Sequence, residues 1–342
     1  MIKNGRTGLI IKTGIKKMRD ISIILSYFSP VGAKLPEQHF ARTLELAVES
    51  GAEVCVSQVV KENAEPLPTP GAHSSSVFVS ADHIFFKENL WNLAAAQATK
   101  NKLLFLDADL YYTQPDWLER ISAALDQYDV IQPFDMCYWE GFKGKGIDIS
   151  LQRMCWFYAI HHNIVPDGRM HHPGFGFAFK RSFFEKVGGF YTYGCLGFGD
   201  SLFCAAVTPN TLIRRLLEKV YSVQKNADEL RGDDKIYWVS AAKHYLADSY
   251  LKYRQVLQDT PHKLGYIPGL PIYHRWHGTI KNRNYATRMQ FVDWPDDEPP
   301  VKYRPDGLLT WSVPQPRAVE WWKNRDDDGL TGGIAPKKFA PK

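Results

Sequence analysis

Leu103-Leu104-Phe105-Leu106-Asp107-Ala108-Asp109-Leu110-Tyr111-Tyr112 is the stretch that decides how this chain reads. Four consecutive apolar residues run straight into two carboxylates one residue apart. Such a run, begun at Lys102, reads as a strand buried on both faces inside a parallel sheet. In open α/β sheets ligands bind beyond the carboxyl ends of the strands. Asp107 and Asp109 stand at that end. One can then hold a hard divalent cation while the other contacts a ligand group or a metal-bound water. A solvated turn after a strand also uses aspartate, but two directly behind four apolar residues favour a site.

Outward from this segment, strand and helix patterns alternate. Ile21 to Tyr27 is a continuous apolar run ending at Ser29-Pro30. Phe40, Leu44 and Val48 recur every four residues, and Gly51 follows as a helix stop. Glu53 to Val60 reads as a second strand, and the Pro- and Ser-rich residues 61–76 as a loop. Glu88 to Lys100 reads as a helix with Trp91 in the core. Lys87, just before it, is either a phosphate contact or a solvated charge. Pro115 opens a helix carrying Leu118, Ile121 and Leu125, and Asp129 to Pro133 is a fourth strand. This alternation predicts an α/β fold with a mainly parallel central sheet flanked by helices. Further on, Gly174 to Lys180 reads as a strand, Ser182 to Val187 as a short helix, and 210–225 and 239–258 as longer helices. From Asp293 the chain is rich in Pro, Asp and Trp, and predicts an irregular extension packed through aromatics. Trp321-Trp322 either pack that tail or line a groove.

Composition sets the outer bounds. The 342 residues carry 42 basic and 37 acidic side chains, a net charge of +5, which permits an acidic partner and demands none. With 44% hydrophobic and 23% charged residues, a large core forms and wholesale disorder is excluded. Cys55, Cys137, Cys155, Cys195 and Cys204 are odd in number and lack CxxC spacing, so a disulfide framework or thiolate zinc site is not expected. No apolar stretch reaches membrane-spanning length and none near the N-terminus matches a signal-peptide core. The reading is a cytoplasmic protein with residues 1–18 as a flexible extension.

Two more segments carry chemistry. Tyr273-His274-Arg275-Trp276-His277-Gly278 holds two histidines three residues apart. They are either structural histidines bonded to backbone or ligands through neutral imidazole nitrogen. With a carboxylate pair elsewhere, a mixed Asp/His site suits manganese or a similar ion. His161-His162 and His171-His172 are adjacent pairs, which rarely converge on one ion. From His171 to Cys204 there are seven glycines: Gly174, Gly176, Gly188, Gly189, Gly194, Gly197 and Gly199. Glycine lets backbone approach a ligand closely. Asp200, after the last of them, is either a helix N-cap or a carboxylate able to take a proton from an incoming hydroxyl.

In order and spacing these features resemble the GT-A glycosyltransferases, nearest the beta-galactosyltransferase and polypeptide N-acetylgalactosaminyltransferase type. The series is ISIILSYFSP, then FFKENLWNLA, Asp107-Ala108-Asp109 as a DxD motif, GFGFAFKRSFFEKVGGF, GCLGFGD and YHRWHG. It spans residues 20 to 290. The resemblance implies a Rossmann-like GT-A catalytic domain over 19–292, with a nucleotide-sugar half (19–135), an acceptor half (136–292) and an extended tail (293–342). It implies a hexosyltransferase that uses Mn2+ or Mg2+ and a nucleotide-diphosphate sugar. Asp109 and His277 would bind the metal, with His274 as second candidate. Asp107 would touch the donor ribose or a metal water. Tyr27, Phe28, Lys87, Gly176 and Gly199 would bind the nucleotide sugar. Asp200 would be the catalytic base, implying inversion, and Phe175, Phe177, Tyr191 and Phe198 would stack on sugar or base faces. Donor, acceptor and oligomeric state stay open; saccharide, protein and modified DNA bases are all acceptor candidates.

Two other readings compete. FLDADLYYT and Gly199-Asp200-Ser201 also resemble a haloacid-dehalogenase-like phosphatase, although some 100 residues precede this DxD. The basic and aromatic stretch 275–288 could instead follow a phosphate backbone in a non-catalytic carbohydrate- or nucleic-acid-binding protein.

Overall fold

β1 (Ile21–Phe28) is buried from Ile21 to Tyr27, as expected of a central strand covered on both faces. The computed structural model describes residues 20–142, 147–226, 228, 230–278, 287–295 and 299–329. The expected N-terminal extension and residues 330–342 lie outside them. After β1, α1 (Lys34–Glu49) buries Phe40, Leu44 and Ala47 and gives way to Gly51, whose φ of 75° is the left-handed conformation that glycine tolerates. β2 (Glu53–Val60) pairs parallel with β1. β3 (Ser74–Val79) continues the sheet in parallel where a loop was expected to reach residue 76. Its side chains alternate between half-buried and exposed, so a one-sided edge strand of three serines carries no apolar run to betray it.

α2 (Lys87–Ala95) leads to β4 (Lys102–Leu106), which lies parallel on the other side of β1. The helix ends five residues earlier than expected, because the chain must tighten to enter β4. The turn is secured by Thr99, whose N–H and hydroxyl both donate to Glu53 at 2.6 and 2.5 Å. Then come β5 (Leu110–Tyr111), α3 (Trp117–Gln127) and β6 (Val130–Gln132). β7 (Met136–Phe142) and β8 (Ile147–Cys155) form an antiparallel pair absent from the sequence reading. α4 (Trp156–His161), β9 (His171–His172) and β10 (Gly176–Lys180) follow. β10 inserts antiparallel between β4 and β6.

The remaining elements are α5 (Arg181–Lys186), α6 (Gly199–Val207), α7 (Asn210–Asn226), α8 (Gly232–Leu246), α9 (Asp248–Asp259), β11 (Leu264–Tyr266), β12 (Ile272–His274), β13 (Val301–Tyr303), β14 (Leu309–Trp311) and α10 (Pro316–Lys323). The single helix expected over 239–258 is broken at Ala247, whose backbone is extended. The break lets Tyr250 donate to Leu202 O and Tyr253 to Gly189 O. The seven-stranded sheet runs β11-β6-β10-β4-β1-β2-β3 and is parallel except at β10. A second sheet, β5-β12-β7-β8-β9, stands beside it, and β13-β14 form a hairpin. All five cysteines are buried and unpaired. Among the described residues no helix is long and apolar enough to cross a membrane.

The aromatic surplus goes mainly to the core. Phe105, Phe177, Phe179, Phe184, Phe190 and Phe203 pack with ring centroids between 4.8 and 6.5 Å apart. Each fully buried Phe contributes about 1.5–3 kcal/mol. Phe177 and Tyr191, expected to stack on a ligand, belong to this interior: Phe177 faces Phe157 and Phe203, and Tyr191 packs on Tyr250 and Tyr253.

Glu53 ties the sheet together at the start of β2. Its carboxylate accepts from Ser22 (2.7 Å) and Thr99, with Lys100 at 3.5 Å. Burial alone would raise its pKa, but these bonds outweigh it and hold the carboxyl at about 2, below the ordinary 4.5. A group whose folded pKa is depressed stabilises above its unfolded pKa and loses that stabilisation as pH falls through the folded one. Urea unfolding is therefore expected to show stability dropping between about pH 5 and pH 2 by about 2–3 kcal/mol. Glu53→Gln is expected to lack that step and to be weaker at pH 7. An unchanged acid limb in the variant would refute this role.

Candidate active site

The carboxyl ends of β1 and β4 open into a cavity of about 1210 Å³. Asp107 and Asp109 both line it. The strand ends at Leu106 and Asp109 lies in a turn, so the turn and not the strand's alternation sets where the two carboxylates point. Asp107 keeps one tie to the sheet, its N–H donating to Phe175 O at 3.0 Å.

The second sheet brings in the histidines. β5 follows the turn at once and pairs antiparallel with β12, setting His274 opposite Leu110. Arg275 N–H donates to Asp109 O at 2.9 Å, which fixes the register beside the aspartate. Beyond β12, Trp276 N–H donates to Glu140, and Trp276 O lies 2.8 Å from His39 Nε2. Gly278 has φ 80°, and a Cβ there would stand 2.3 Å from Asp326 O, so only glycine fits. The outcome is His277 Nε2 at 2.8 Å and His274 Nε2 at 3.3 Å from the same Asp109 oxygen.

One ligand atom from each of Asp109, His274 and His277 falls within 4.8 Å of the others. Burial pushes the Asp109 carboxyl up, but the two imidazoles outweigh it and hold the group well below the usual carboxylate range. Its second oxygen, Oδ1, is buried and has no hydrogen-bond partner among the described residues. Atoms bound about 2.1 Å from one ion at right angles stand about 3 Å apart. The Asp109–His277 and Asp109–His274 separations match this, and one carboxylate with two imidazoles suits Mn2+ or a similar ion. The donor set therefore fits the metal the sequence led us to expect.

Lys87 opens α2 and is not a solvated charge. Only 6% of it is exposed. Its ammonium meets both Asp200 oxygens at 2.7 and 2.8 Å, Asp107 at 3.1 Å and Glu88 at 3.7 Å. Burial would lower its pKa, but these three carboxylates drive it upward, so it stays an ammonium. Burial first, then repulsion from Asp200 and Asp109, raises the Asp107 carboxyl against the pull of Lys87. Glu88 is raised by burial and by Asp200, and its oxygens are buried against Gly199, where a Cβ would come within 2.2 Å of Glu88 Cδ. Asp200 is not an N-cap: α6 begins at Gly199, and the aspartate sits in its first turn, turned toward Lys87 and the cavity.

Tyr27 and Phe28 line the cavity from the end of β1. Phe28 meets Phe85 edge-on at 4.9 Å, and Phe85 stacks on Trp322 at 6.4 Å, giving an aromatic shelf. Trp322 is thus in the wall while Trp321 is interior. Phe175 and Phe198 also reach the cavity. Gly176 and Gly199 do not line it. Their missing side chains make room for protein neighbours, Phe105 O at 2.8 Å for Gly176 and Glu88 for Gly199. Gly197, with φ 84°, lines the wall instead.

Sequence reasoning named Phe175 as a stacking aromatic but missed its backbone role, and it did not identify Arg325 or Asp328. Phe175 has φ 81°, rare for a bulky residue, and its ring stacks on His274 at 5.1 Å while its carbonyl holds Asp107. The flanking Gly174 and Gly176 were the only local signal. Arg325 reaches the wall from the tail, with its guanidinium 4.4 Å from the Trp322 ring. Asp328 accepts from the N–H groups of Lys34 and Leu35 and so pins that tail to the start of α1. Nothing local in the sequence announces either contact. In the basic stretch 275–288, residues 279–286 lie outside the described residues. Arg275 turns inward over Tyr111 (4.5 Å), and Arg288 donates to Gly197 O, so neither is an outward phosphate contact.

No family model matches the chain, and no curated protein matches its sequence. Solved structures similar to part of it include a glucosyl-3-phosphoglycerate synthase from Mycobacterium tuberculosis in complex with Mn2+, UDP and phosphoglyceric acid. That protein is 11% identical, with TM-score 0.30, over 50% of this chain and 59% of that one. The mannosyltransferase PcManGT from Pyrobaculum calidifontis, in complex with GDP-Man and Mn2+, is 18% identical, with TM-score 0.33, over 70% and 72%. TarS from S. aureus, in complex with UDP-GlcNAc, is 16% identical, with TM-score 0.31, over 54% and 52%. The chain thus spans just over half the length of the first and third.

Proposed function

We propose that this chain is a metal-dependent GT-A glycosyltransferase that moves a sugar from a nucleotide-diphosphate sugar to an acceptor hydroxyl. The observation that carries the reading is the convergence of Asp109, His274 and His277 in the cavity that also holds Asp107 and Asp200. Asp109, His274 and His277 would hold Mn2+ or Mg2+, whose charge favours departure of a diphosphate. Tyr27, Phe28 and the Phe85–Trp322 shelf give the nucleotide an aromatic floor. Asp107 reaches the donor, with Lys87 holding its orientation.

Asp200 is the base. The acceptor oxygen attacks the anomeric carbon, the bond from that carbon to the phosphate oxygen breaks, and the acceptor proton passes to Asp200. The nucleoside diphosphate leaves. A single displacement of this kind inverts the anomeric configuration. Residues 19–292 form the catalytic unit in this reading, and the tail supplies Trp322 and Arg325. Five buried, unpaired cysteines accord with a reducing compartment, and we place the protein in the cytoplasm.

The test is a screen of UDP-, GDP- and dTDP-sugars with Mn2+, scored by nucleoside diphosphate release with and without EDTA. Metal-dependent release with one donor class is expected. No release from any donor, or phosphomonoester hydrolysis needing no nucleotide sugar, would overturn the reading.

A further inference from the structure

The cavity has a second wall, made by β8, residues 165–169 and the near faces of α7 and α8. Arg153, Arg169, Arg215 and Lys219 line it. Among the described residues none of these four has a carboxylate oxygen within ion-pair distance. The contrast within α7 is informative. Arg214, facing solvent, is paired with Glu218 at 2.8 Å, while Arg215 and Lys219, facing the cavity, are not. Leu212, Leu216 and Lys219 recur at helical spacing, so α7 presents one mixed apolar and cationic stripe to the cavity.

Two of these side chains, Arg153 and Lys219, rest against tryptophan rings without being neutralised. The Arg153 guanidinium lies 5.8 Å from the Trp139 ring, and its buried Nε has no hydrogen-bond partner among the described residues. Lys219 Nζ lies 5.8 Å from the Trp238 ring. Trp156, also in the wall, is anchored through Nε1 to Thr208 at 3.0 Å. The one carboxylate among the described residues lining this wall, Asp167, accepts from the backbone N–H of Arg169 at 2.8 Å. Across the cavity the sign reverses: Asp107, Asp200 and Glu88 surround Lys87, and Asp109 faces two imidazoles. The donor's diphosphate belongs on that side, where the metal cluster lies. Four unneutralised cations on the other wall call for a second anion. Their number and the fork geometry of arginine suit a phosphate better than a single carboxylate.

We propose that the acceptor carries a phosphate ester, bound by Arg153, Arg169, Arg215 and Lys219 while its hydroxyl faces Asp200. The proposal rests on the transferase reading for the word acceptor, but the binding wall stands by itself. The phosphate can belong to a small phosphate ester or to a nucleic-acid strand.

The experiment measures equilibrium binding to the full chain without metal, in an Asp109→Ala background that disables the donor side. The probes are ribose 5-phosphate, ribose and a fluorescein-labelled dT12 strand. Ribose 5-phosphate, dT12 or both are expected to bind, and ribose is not. Arg215→Gln/Lys219→Gln is expected to weaken binding at least tenfold, and Arg214→Gln to leave it unchanged. Binding of ribose 5-phosphate alone assigns the small ester. Tight dT12 binding, with a salt slope that falls by about 1.4 in the double variant, assigns the strand. No binding of either phosphate probe, or equal binding by the double variant, overturns the proposal. Failure of metal-dependent nucleotide release in the parent would sink the transferase reading and leave this binding result standing.

Discussion

Asp109→Ala is expected to lower metal-dependent nucleoside diphosphate release by about 10³-fold or more, the scale for losing a principal source of transition-state charge stabilisation. Asp109 is the only anion in the cluster; His274 and His277 offer neutral nitrogen. Without it, two imidazoles alone face a hard cation that prefers oxygen ligands. Mn2+ binding, followed by the electron paramagnetic resonance signal of the free ion, should weaken in parallel. His277→Ala should cost less than Asp109→Ala, because it leaves one carboxylate and one imidazole. Turnover at the parent level in Asp109→Ala would remove the metal site from the mechanism. A large loss of turnover with Mn2+ affinity intact would move Asp109 from the metal to the donor.

Asp200→Asn is expected to lower sugar transfer by about 10²- to 10⁴-fold, the range for losing a positioned general base. Asn is nearly isosteric and can accept from Lys87, which also keeps Asp107 at 3.1 Å and Glu88 at 3.7 Å. The fold should therefore survive, and Mn2+ affinity should stay at the parent value because Asp200 lies outside the Asp109 cluster. The anomeric proton coupling of the parent's product should show inversion. Retention of configuration, or full activity in the variant, would exclude Asp200 as the base. Asp200→Ala is the less clean variant, since it deletes two of the contacts to a buried ammonium.

Much of the site could be read from the chain because buried strands write themselves plainly. The apolar run through Leu106 could end only in a turn, and polar residues there had to face a ligand or solvent. That placed Asp107 and Asp109; Tyr27 and Phe28 at the end of β1 came only from the resemblance to the GT-A glycosyltransferases. The YHRWHG segment supplied the histidines by residue type. What could not be read was how β12 pairs. A three-residue strand has no periodicity, yet its antiparallel register with β5 sets His274 and His277 against Asp109. The glycines misled in a different way. Gly176 and Gly199 do mark close approaches, but to Phe105 and Glu88. Sequence records that space is needed and does not record what fills it.

The sequence by itself determined the alternating strands and helices, the buried strand with its terminal acids and the residue types available for a metal. These follow from local periodicity and from what cannot be buried alone. Only the tertiary structure decided partnership. Whether Lys87 is solvated or triply paired, whether Asp200 caps a helix or faces a cavity, and whether α7 turns its unpaired cations inward depend on segments brought together only by the fold, such as Lys87 and Asp200. Coulomb interactions and hydrogen bonds act over a few ångströms of space. Distance along the chain carries no trace of them until the sheet is assembled.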